Sequence, residues 1–516
     1  MAWAPQASFV TPRCVWPNDG IYDGFADGTT YSWLRVKSLP TVRPRRKAAE
    51  LTAATADATP PGMPAAFDIL HSAIPGVAWP PLVQGVAALV EAYVSRLEVT
   101  EWLPIEEIEQ AQREQLGLLA DHCARHSPAF ARRLAAADLT AVDLAQPGGL
   151  ARLPSLTRRG LQDHDGLFCA QVPEAHQPVG MTQTSGSTGE PTRVRRTGLN
   201  KLGHMAMTVR DHRWQSRDAR GRLVAMSAHR HEVKPLPDWG EPLALLYRTG
   251  PALSLPATMA VAELHARIAD FAPQVLVTYP SVLGAMLDII ECGGRQFQGL
   301  AHVRCMSEMV HPDLRARTQA LLGRTIEDAY TSEEFGFLAL QCPDADGYHI
   351  MAETHIVEVI DDNGKPCAPG EWGRVLVTDL HNFATPLIRY AIGDYAMAGT
   401  PCACRRGLPR IERIMGRERN LVVTPDGARH WPLTGYSKFH AIAPVRHYQL
   451  IQRDLETVEM RLVVAEPLSS AQEAKLRALI QTSVGHPFDI RLTYFADALP
   501  PDPSGKREEF VSLVAG

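Results

Sequence analysis

Apolar residues recur at helical spacing from about Pro81, at Leu82, Val86, Leu89, Val90 and Tyr93, a rhythm that predicts an amphipathic helix. A second helix is predicted over 104–125. Ile105, Ile108, Leu116 and Leu119 form its apolar stripe, opposite a heavily charged face. Both helices are expected to pack on the domain that follows. From about 175 to 415 the period changes. Short β-rich runs at 222–227, 274–279, 302–306 and 325–330 alternate with helical segments, the order of an α/β sheet with crossover helices. Runs at 354–360 and 374–380 read as antiparallel strands flanking Asp361-Asp-Asn-Gly364, a turn-forming tetrapeptide.

After Arg417 the pattern changes again. Strands are predicted at 447–452, 458–464 and 489–495. Ser470-Ala-Gln-Glu473 reads as a capping box opening a helix that runs to about Ser483. The predicted architecture is therefore α/β, with a large multi-layer domain over 81–416 and a small α+β domain over 417–516. Residues 1–80 form an N-terminal arm rich in Ala, Pro, Thr and Gly, with a linker-like stretch at 48–66. Its basic run, Arg43-Pro-Arg-Arg-Lys47, could contact a polyanion, although a solvated linker face is the favoured reading. No internal repeat occurs at solenoid or propeller periods.

Composition narrows the function classes. The chain has 516 residues, 45% hydrophobic and 21% charged, which fits a folded protein of two or three domains. Its 52 basic and 57 acidic side chains leave a net charge of −5. No global basic field therefore argues for nucleic acid or anionic lipid as the main partner. Nine cysteines, an odd number spread over a long chain, read mainly as reduced thiols. The N-terminal residues lack a basic start and an apolar core, and no run of 18 apolar residues occurs. A cytoplasmic protein with neither signal peptide nor membrane span is expected.

The sharpest chemical signal is Met181-Thr-Gln-Thr-Ser-Gly-Ser-Thr-Gly-Glu-Pro191. Backbone N–H groups and hydroxyls of such a loop can close around phosphate oxygens. It lacks the spacing of a Walker A loop. Four further segments keep it company: Asp328-Ala-Tyr-Thr-Ser-Glu-Glu-Phe-Gly336, Pro386-Leu-Ile-Arg-Tyr-Ala-Ile-Gly-Asp394, Gly416-Arg-Glu-Arg-Asn420 and Pro503-Ser-Gly-Lys506.

With these segments in this order, the chain resembles the adenylate-forming superfamily of acyl-CoA synthetases and adenylation domains, and most of all its phenylacetate–CoA ligase and CapK-like branch. The resemblance runs from about Glu107 to the C-terminus. It includes Leu153-Pro-Ser-Leu-Thr157 and the highly specific Asp379-Leu-His-Asn-Phe-Ala-Thr-Pro-Leu-Ile-Arg-Tyr390. It implies an ATP-dependent ligase with a mobile C-terminal lid. Thr184, Ser185, Gly186, Ser187, Thr188 and Gly189 would hold the β- and γ-phosphates, and Tyr330 would stack near the adenine. Asp394 would accept both ribose hydroxyls, and Arg417 would sit at the hinge. Glu334 would hold Mg²⁺. Lys506 would be the mobile catalytic lysine. Tyr279 in Tyr279-Pro-Ser-Val-Leu-Gly284 would line the acid site, and Ser307-Glu308 would lie near the nucleotide.

The implied reaction activates an aryl or arylacetic acid to an acyl-adenylate, releases pyrophosphate and transfers the acyl group to CoA. A carrier-protein thiol or an amine as acceptor, and a non-catalytic scaffold of the same fold, are the alternatives. The sequence departs from relatives at Thr331, Glu333 and Asn420, where Gly, Thr and Asp are usual. The lysine that usually follows the loop proline is missing, and Arg193 or Arg195 is expected to supply its charge.

Two other groupings stand out. Cys342, His349, Cys402 and Cys404 carry the donor set of a closed zinc site should they converge, with Cys367 as a substitute ligand; reduced, unliganded thiols are the alternative. His229, His231 and Lys234 could face a substrate, although ordinary surface or core use is the favoured reading for a single histidine.

Overall fold

The computed structural model describes residues 70, 72–163, 166–183, 191–227, 230–432, 439, 441–496, 499 and 509–514. The basic run at 43–47, the linker at 48–66, the phosphate-loop residues 184–189, His229 and Lys506 lie outside them.

The described chain opens with helices α1 (Gly85–Thr100), α2 (Ile105–His126), α3 (Pro128–Ala136), α4 (Ala141–Leu144), α5 (Gly149–Arg152) and α6 (Arg158–Gln162). In α1 the buried stripe is Val90, Val94 and Leu97, whereas Leu82, Val86 and Leu89 are exposed. The predicted helix forms, but its buried face differs from the predicted stripe, because α1 packs on a buried helix further along the chain. In α2, Ile108, Leu116 and Leu119 are buried as the pattern predicts.

Strands β1 (Val179–Gln183) and β2 (Arg193–Thr197) form an antiparallel pair, and α7 (Gly198–Trp214) follows directly. Thr197 caps α7 reciprocally with Asn200. Residues Met205–His212 of α7 are buried all round, because α7 lies between α1 and the sheets. A helix so enclosed can keep charge only when it is paired. Arg210 forks onto Glu353 at 2.7 and 3.1 Å and reaches the Leu97 carbonyl at 2.6 Å. Asp211 accepts from Arg217 and Arg304, each at 2.8 Å.

A six-stranded sheet comes next: β3 (Leu223–Ser227), β4 (Lys234–Leu236), β5 (Ala252–Pro256), β6 (Val275–Thr278), β7 (His302–Cys305) and β8 (Ile326–Glu327), in the order β4-β5-β3-β6-β7-β8. Only β4 runs antiparallel. Helices α8 (Leu243–Leu246), α9 (Val261–Phe271), α10 (Pro280–Glu291) and α11 (Pro312–Leu322) supply connections. These are the predicted parallel strands, with one correction. The predicted strand 325–330 is broken at Asp328, whose carboxylate accepts the Ala329 N–H and the Tyr348 hydroxyl. The chain there leaves one sheet for another.

That second sheet is antiparallel and seven-stranded: β9 (Ala329–Ser332), β10 (Gly336–Gln341), β11 (Tyr348–Ile350), β12 (His355–Ile360), β13 (Trp372–Asp379), β14 (Tyr390–Ala398) and β15 (Arg410–Arg417), in the order β12-β13-β14-β15-β11-β10-β9. The β12–β13 pairing agrees with the prediction. The Asp361 turn forms too, its carboxylate accepting the N–H groups of Asn363 and Lys365, but the connection continues to residue 371.

Beyond β15 lie a short pair, β16 (Val422–Val423) and β17 (Arg429–His430), and a four-stranded sheet of β18 (Val445–Gln452), β19 (Thr457–Val464), β20 (Asp489–Phe495) and β21 (Phe510–Ser512), with α12 (Ser470–Ser483). These pack around their own core, including Leu450, Met460, Ile480 and Phe510. The capping box sits one residue earlier than predicted. Ser469 is the cap, and it exchanges hydrogen bonds with Gln472, because Gln reaches back to the cap N–H as well as Glu does.

Candidate active site and a cysteine–histidine cluster

In parallel α/β sheets, ligand sites gather beyond the carboxyl ends of the strands. Strands β6, β7 and β8 are parallel neighbours, so their carboxyl ends emerge on one edge. Tyr279 follows β6 directly as the N-cap of α10. Ser307 follows β7 and adopts φ +66°, uncommon for a non-glycine residue and typical of functional turns. The adjacent Glu308 accepts the Ser281 N–H at 2.9 Å and its hydroxyl at 3.1 Å, which ties the two segments together.

Tyr330, on β9, lies beyond the end of β8. Its ring is buried and its hydroxyl donates to Asp394 Oδ2 at 2.7 Å. Asp394 reaches that position through a bulge in β14, where Ile392, Gly393 and Asp394 oppose the single Val375 of β13. Gly393 has φ +83°, a conformation that L side chains rarely adopt. On the other flank Asp394 pairs in register with Arg417 of β15, whose Nε stands 3.4 Å from Asp394 Oδ1.

Glu333 and Glu334 occupy the β9–β10 hairpin, where Ser332 Oγ accepts the Phe335 N–H. Burial pushes the Glu334 carboxyl up; Arg417 pulls it down, while Glu333 and Asp394 push it further up. Glu333 Oε2 is buried without a hydrogen-bond partner. Tyr330 is held protonated well above the usual tyrosine range, by burial and then by the Asp394 charge. Glu334 thus faces the carboxylates of Glu333 and Asp394 and the guanidiniums of Arg417 and Arg196, a carboxylate-rich pocket that suits a divalent cation and hydroxyl donors.

The strands that flank the phosphate-loop residues are anchored here as well. Arg196 of β2 donates to the Phe335 carbonyl at 3.2 Å, and the Arg195 main chain exchanges two hydrogen bonds with Thr385 Oγ1. The Arg195 guanidinium lies over the Phe168 ring at 4.5 Å, and Arg193 is exposed. Arg196, Asn200, His204, Phe337, His355 and Asp379 line a narrow cavity between α7 and β10. Burial pushes the Asp379 carboxyl up to about 6 and holds His204 and His355 near 3, hence neutral. Gly336 closes one wall; its φ is +83°, and a Cβ there would sit 3.1 Å from His204 Nδ1. His231 and Lys234 are exposed.

Asn420 reports why it stands in place of Asp. Its Oδ1 accepts the Arg417 N–H at 2.9 Å, and its Nδ2 donates to the Phe510 carbonyl at 2.6 Å. A carboxylate could not donate that second bond. Asn420 is not in the left-handed region.

The four zinc-type ligands converge. The donor atoms of Cys342, His349, Cys402 and Cys404 all lie within 4.8 Å of one another. Cys367 stands apart, in the β12–β13 connection.

No protein-family model matches the chain. Among characterised proteins it is similar to the phenylacetate–coenzyme A ligase of Escherichia coli (strain K12), at 28% identity over 378 residues, 69% of this chain and 82% of that one. The same-named enzyme of Thermus thermophilus is 27% identical over 384 residues, 71% of this chain and 84% of that one. Among solved structures, 2-hydroxyisobutyryl-CoA ligase in its postadenylation state matches with a TM-score of 0.61 at 17% identity, over 80% of this chain and 90% of that one. The same ligase in its thioesterification state matches at 0.52 and 19%, over 80% and 91%. At those identities the structural likeness speaks to the fold. The chain is thus similar in sequence to phenylacetate–coenzyme A ligases, and it shares its fold with an acyl-CoA ligase.

Arg389 is a site-supporting residue that sequence reasoning passed over. It sits in the left-handed region at φ +56°. It pairs with Glu358 and donates to the carbonyls of Ala151 and Leu153 at 2.7 and 2.6 Å. The segment 153–157 is thereby clamped against β14, with Leu156 bridging to Tyr390. The motif ending at Tyr390 was visible in the sequence; that its arginine works on the backbone of another segment was not.

Proposed function

We propose that this protein is an AMP-forming acid–CoA ligase that activates an aryl or arylacetic acid with ATP. The observation that carries the reading is the Tyr330–Asp394–Arg417 constellation beside Glu334, supported by the likeness to phenylacetate–coenzyme A ligases.

In this reading Asp394 accepts the ribose hydroxyls. Tyr330 and Arg417 occupy one acceptor direction on each of its oxygens and leave the remaining lone pairs for the sugar. Tyr330 sits beside the adenine, and Thr184, Ser185, Gly186, Ser187, Thr188 and Gly189 hold the β- and γ-phosphates. Glu334, helped by the unpartnered Glu333 oxygen, would hold Mg²⁺, whose chemistry is to neutralise phosphate charge. Tyr279 and Ser307 flank the acid.

Attack of a carboxylate on the α-phosphorus joins two anions, so the barrier is largely electrostatic and positional. Lys506 lowers it by placing an ammonium group between them. The unit over 417–516 then acts as a lid that removes Lys506 after adenylation and admits CoA.

The test is ATP–pyrophosphate exchange with a panel of carboxylic acids and no acceptor. Exchange that depends on an arylacetic or aryl acid is expected. Exchange with none of the acids, together with no ATP binding by calorimetry, would leave a non-catalytic scaffold. Transfer to a carrier protein but not to free CoA would change the acceptor alone.

A further inference from the structure

We infer that Cys342, His349, Cys402 and Cys404 form a structural zinc site that fastens the β10–β11 hairpin to the loop between β14 and β15. Three thiolates and an imidazole are a zinc donor set, and four protein ligands leave no open coordination position. Their donor atoms fit within 4.8 Å, with Cys404 Sγ 3.2 Å from His349 Nε2 and Cys342 Sγ 3.7 Å from Cys402 Sγ. All four cysteine and histidine side chains are buried or half-buried, and the cysteines are free. A disulfide would account for two of these groups; a metal accounts for all four.

The surroundings are those of a metal ligand shell. His349 Nδ1 faces the Leu408 carbonyl at 3.3 Å. A proton held there leaves Nε2 as the lone-pair donor, and Nε2 is the atom that points into the cluster. Backbone N–H groups at Asp344 and Cys404 face the sulfurs of Cys342 and Cys402, an arrangement that steadies thiolate charge. Arg405 takes φ +69°, which turns the chain sharply after Cys404. Arg406 then reaches Glu101 and Asp344, both at 3.0 Å, and stacks over Trp214 at 4.6 Å. The ligand loop is thus joined to the α1–α2 junction.

The position argues for a structural function. His349 pairs with Arg410 at one end of β15, and Asp394 pairs with Arg417 at the other. Seven residue steps of β15 separate Arg410 from Arg417, roughly 23 Å at about 3.3 Å per residue. This inference does not rest on the proposed reaction, and its test needs no substrate.

The full chain, produced without a histidine tag, is analysed for metals by plasma mass spectrometry. We expect close to one zinc per chain. The Cys402→Ser/Cys404→Ser variant is expected to fall below a tenth of that, while Cys404→His, which keeps a zinc donor, retains most of it. Where the serine variant does not fold, cobalt exchanged into the wild-type protein is to give the thiolate charge-transfer and tetrahedral d–d bands of a sulfur-ligated site. Wild-type protein with less than a tenth of an equivalent of zinc and all four side chains open to modification would overturn the assignment. So would another metal at full occupancy, or zinc unchanged in the serine variant.

Discussion

Replacing Asp394 by asparagine isolates charge from shape. Asparagine is nearly isosteric, and its Oδ1 can still accept the Tyr330 hydroxyl that now stands 2.7 Å from the carboxylate. Arg417, 3.4 Å away, loses its anionic partner. That pair is part-exposed on the arginine side, so its contribution to folding is small. The effect should therefore fall on the nucleotide. A hydrogen bond to a charged acceptor contributes about 1.5–3 kcal/mol and one to a neutral acceptor about 0.5–1.5. Two ribose hydroxyls moving from the first class to the second lose about 2 kcal/mol, roughly a 30-fold weakening. In the exchange assay the KM for ATP should rise about 30-fold, with the KM for the acid changing less than threefold. Asp394→Ala, which also leaves the Tyr330 hydroxyl without its partner, should be worse. A double-mutant cycle with Tyr330→Phe should give a coupling of about 1 kcal/mol or more, because the two groups share a buried bond. An unchanged KM for ATP with a raised KM for the acid would move Asp394 out of the nucleotide site and refute the reasoning.

Three further predictions follow from other parts of the molecule. Lys506→Ala should abolish acid-dependent pyrophosphate release yet largely spare thioester formation from a supplied acyl-adenylate; equal loss of both half-reactions would contradict the lid reading. Arg389→Met should cost about 2–4 kcal/mol in urea unfolding, since it strips a half-buried Glu358 and two carbonyls of their partner, and a loss under about 1 kcal/mol would contradict the clamp. Stability should fall between pH 7 and 5. Burial holds His212 and His355 near 3, so below about pH 6.5 the unfolded chain takes up protons that the folded chain refuses, at about 2 kcal/mol for each histidine by pH 5. His204, near 3, and His381, near 4, add to that loss, while Asp379, pushed up to about 6, works the other way and returns only about 1 kcal/mol, so the net is a loss that a flat urea profile would disprove.

Much of this fold could be read from the chain, for identifiable reasons. The parallel strands β3 and β6 are short apolar runs, buried on both faces, and need no long-range information to be seen. The antiparallel sheet is different. Its order sets β11 beside β15, some sixty residues apart, and no local pattern announces such a pairing. The break at Asp328 depends on the Tyr348 hydroxyl, again a distant partner. The same division holds at the site. Tyr330, Glu334, Asp394 and Arg417 were legible as motifs, and the structure brings them together. The four zinc-type ligands were legible as a donor set, and only folding could make them meet. Arg196 and Arg389 act on backbone carbonyls of other segments, a function that residue type alone does not reveal. Asn420 stands out in the sequence only as a departure from the usual aspartate, yet its amide makes a bond that an aspartate could not.

The central claim is that the phosphate loop, Glu334, Asp394 and Lys506 surround one nucleotide. A crystal structure with a non-hydrolysable arylacetyl sulfamoyl adenosine tests it most directly. Both ribose hydroxyls are expected within hydrogen-bond distance of Asp394, with the acyl group between Tyr279 and Ser307. Ribose bound elsewhere, with the Tyr330–Asp394 pair facing empty solvent, would contradict it.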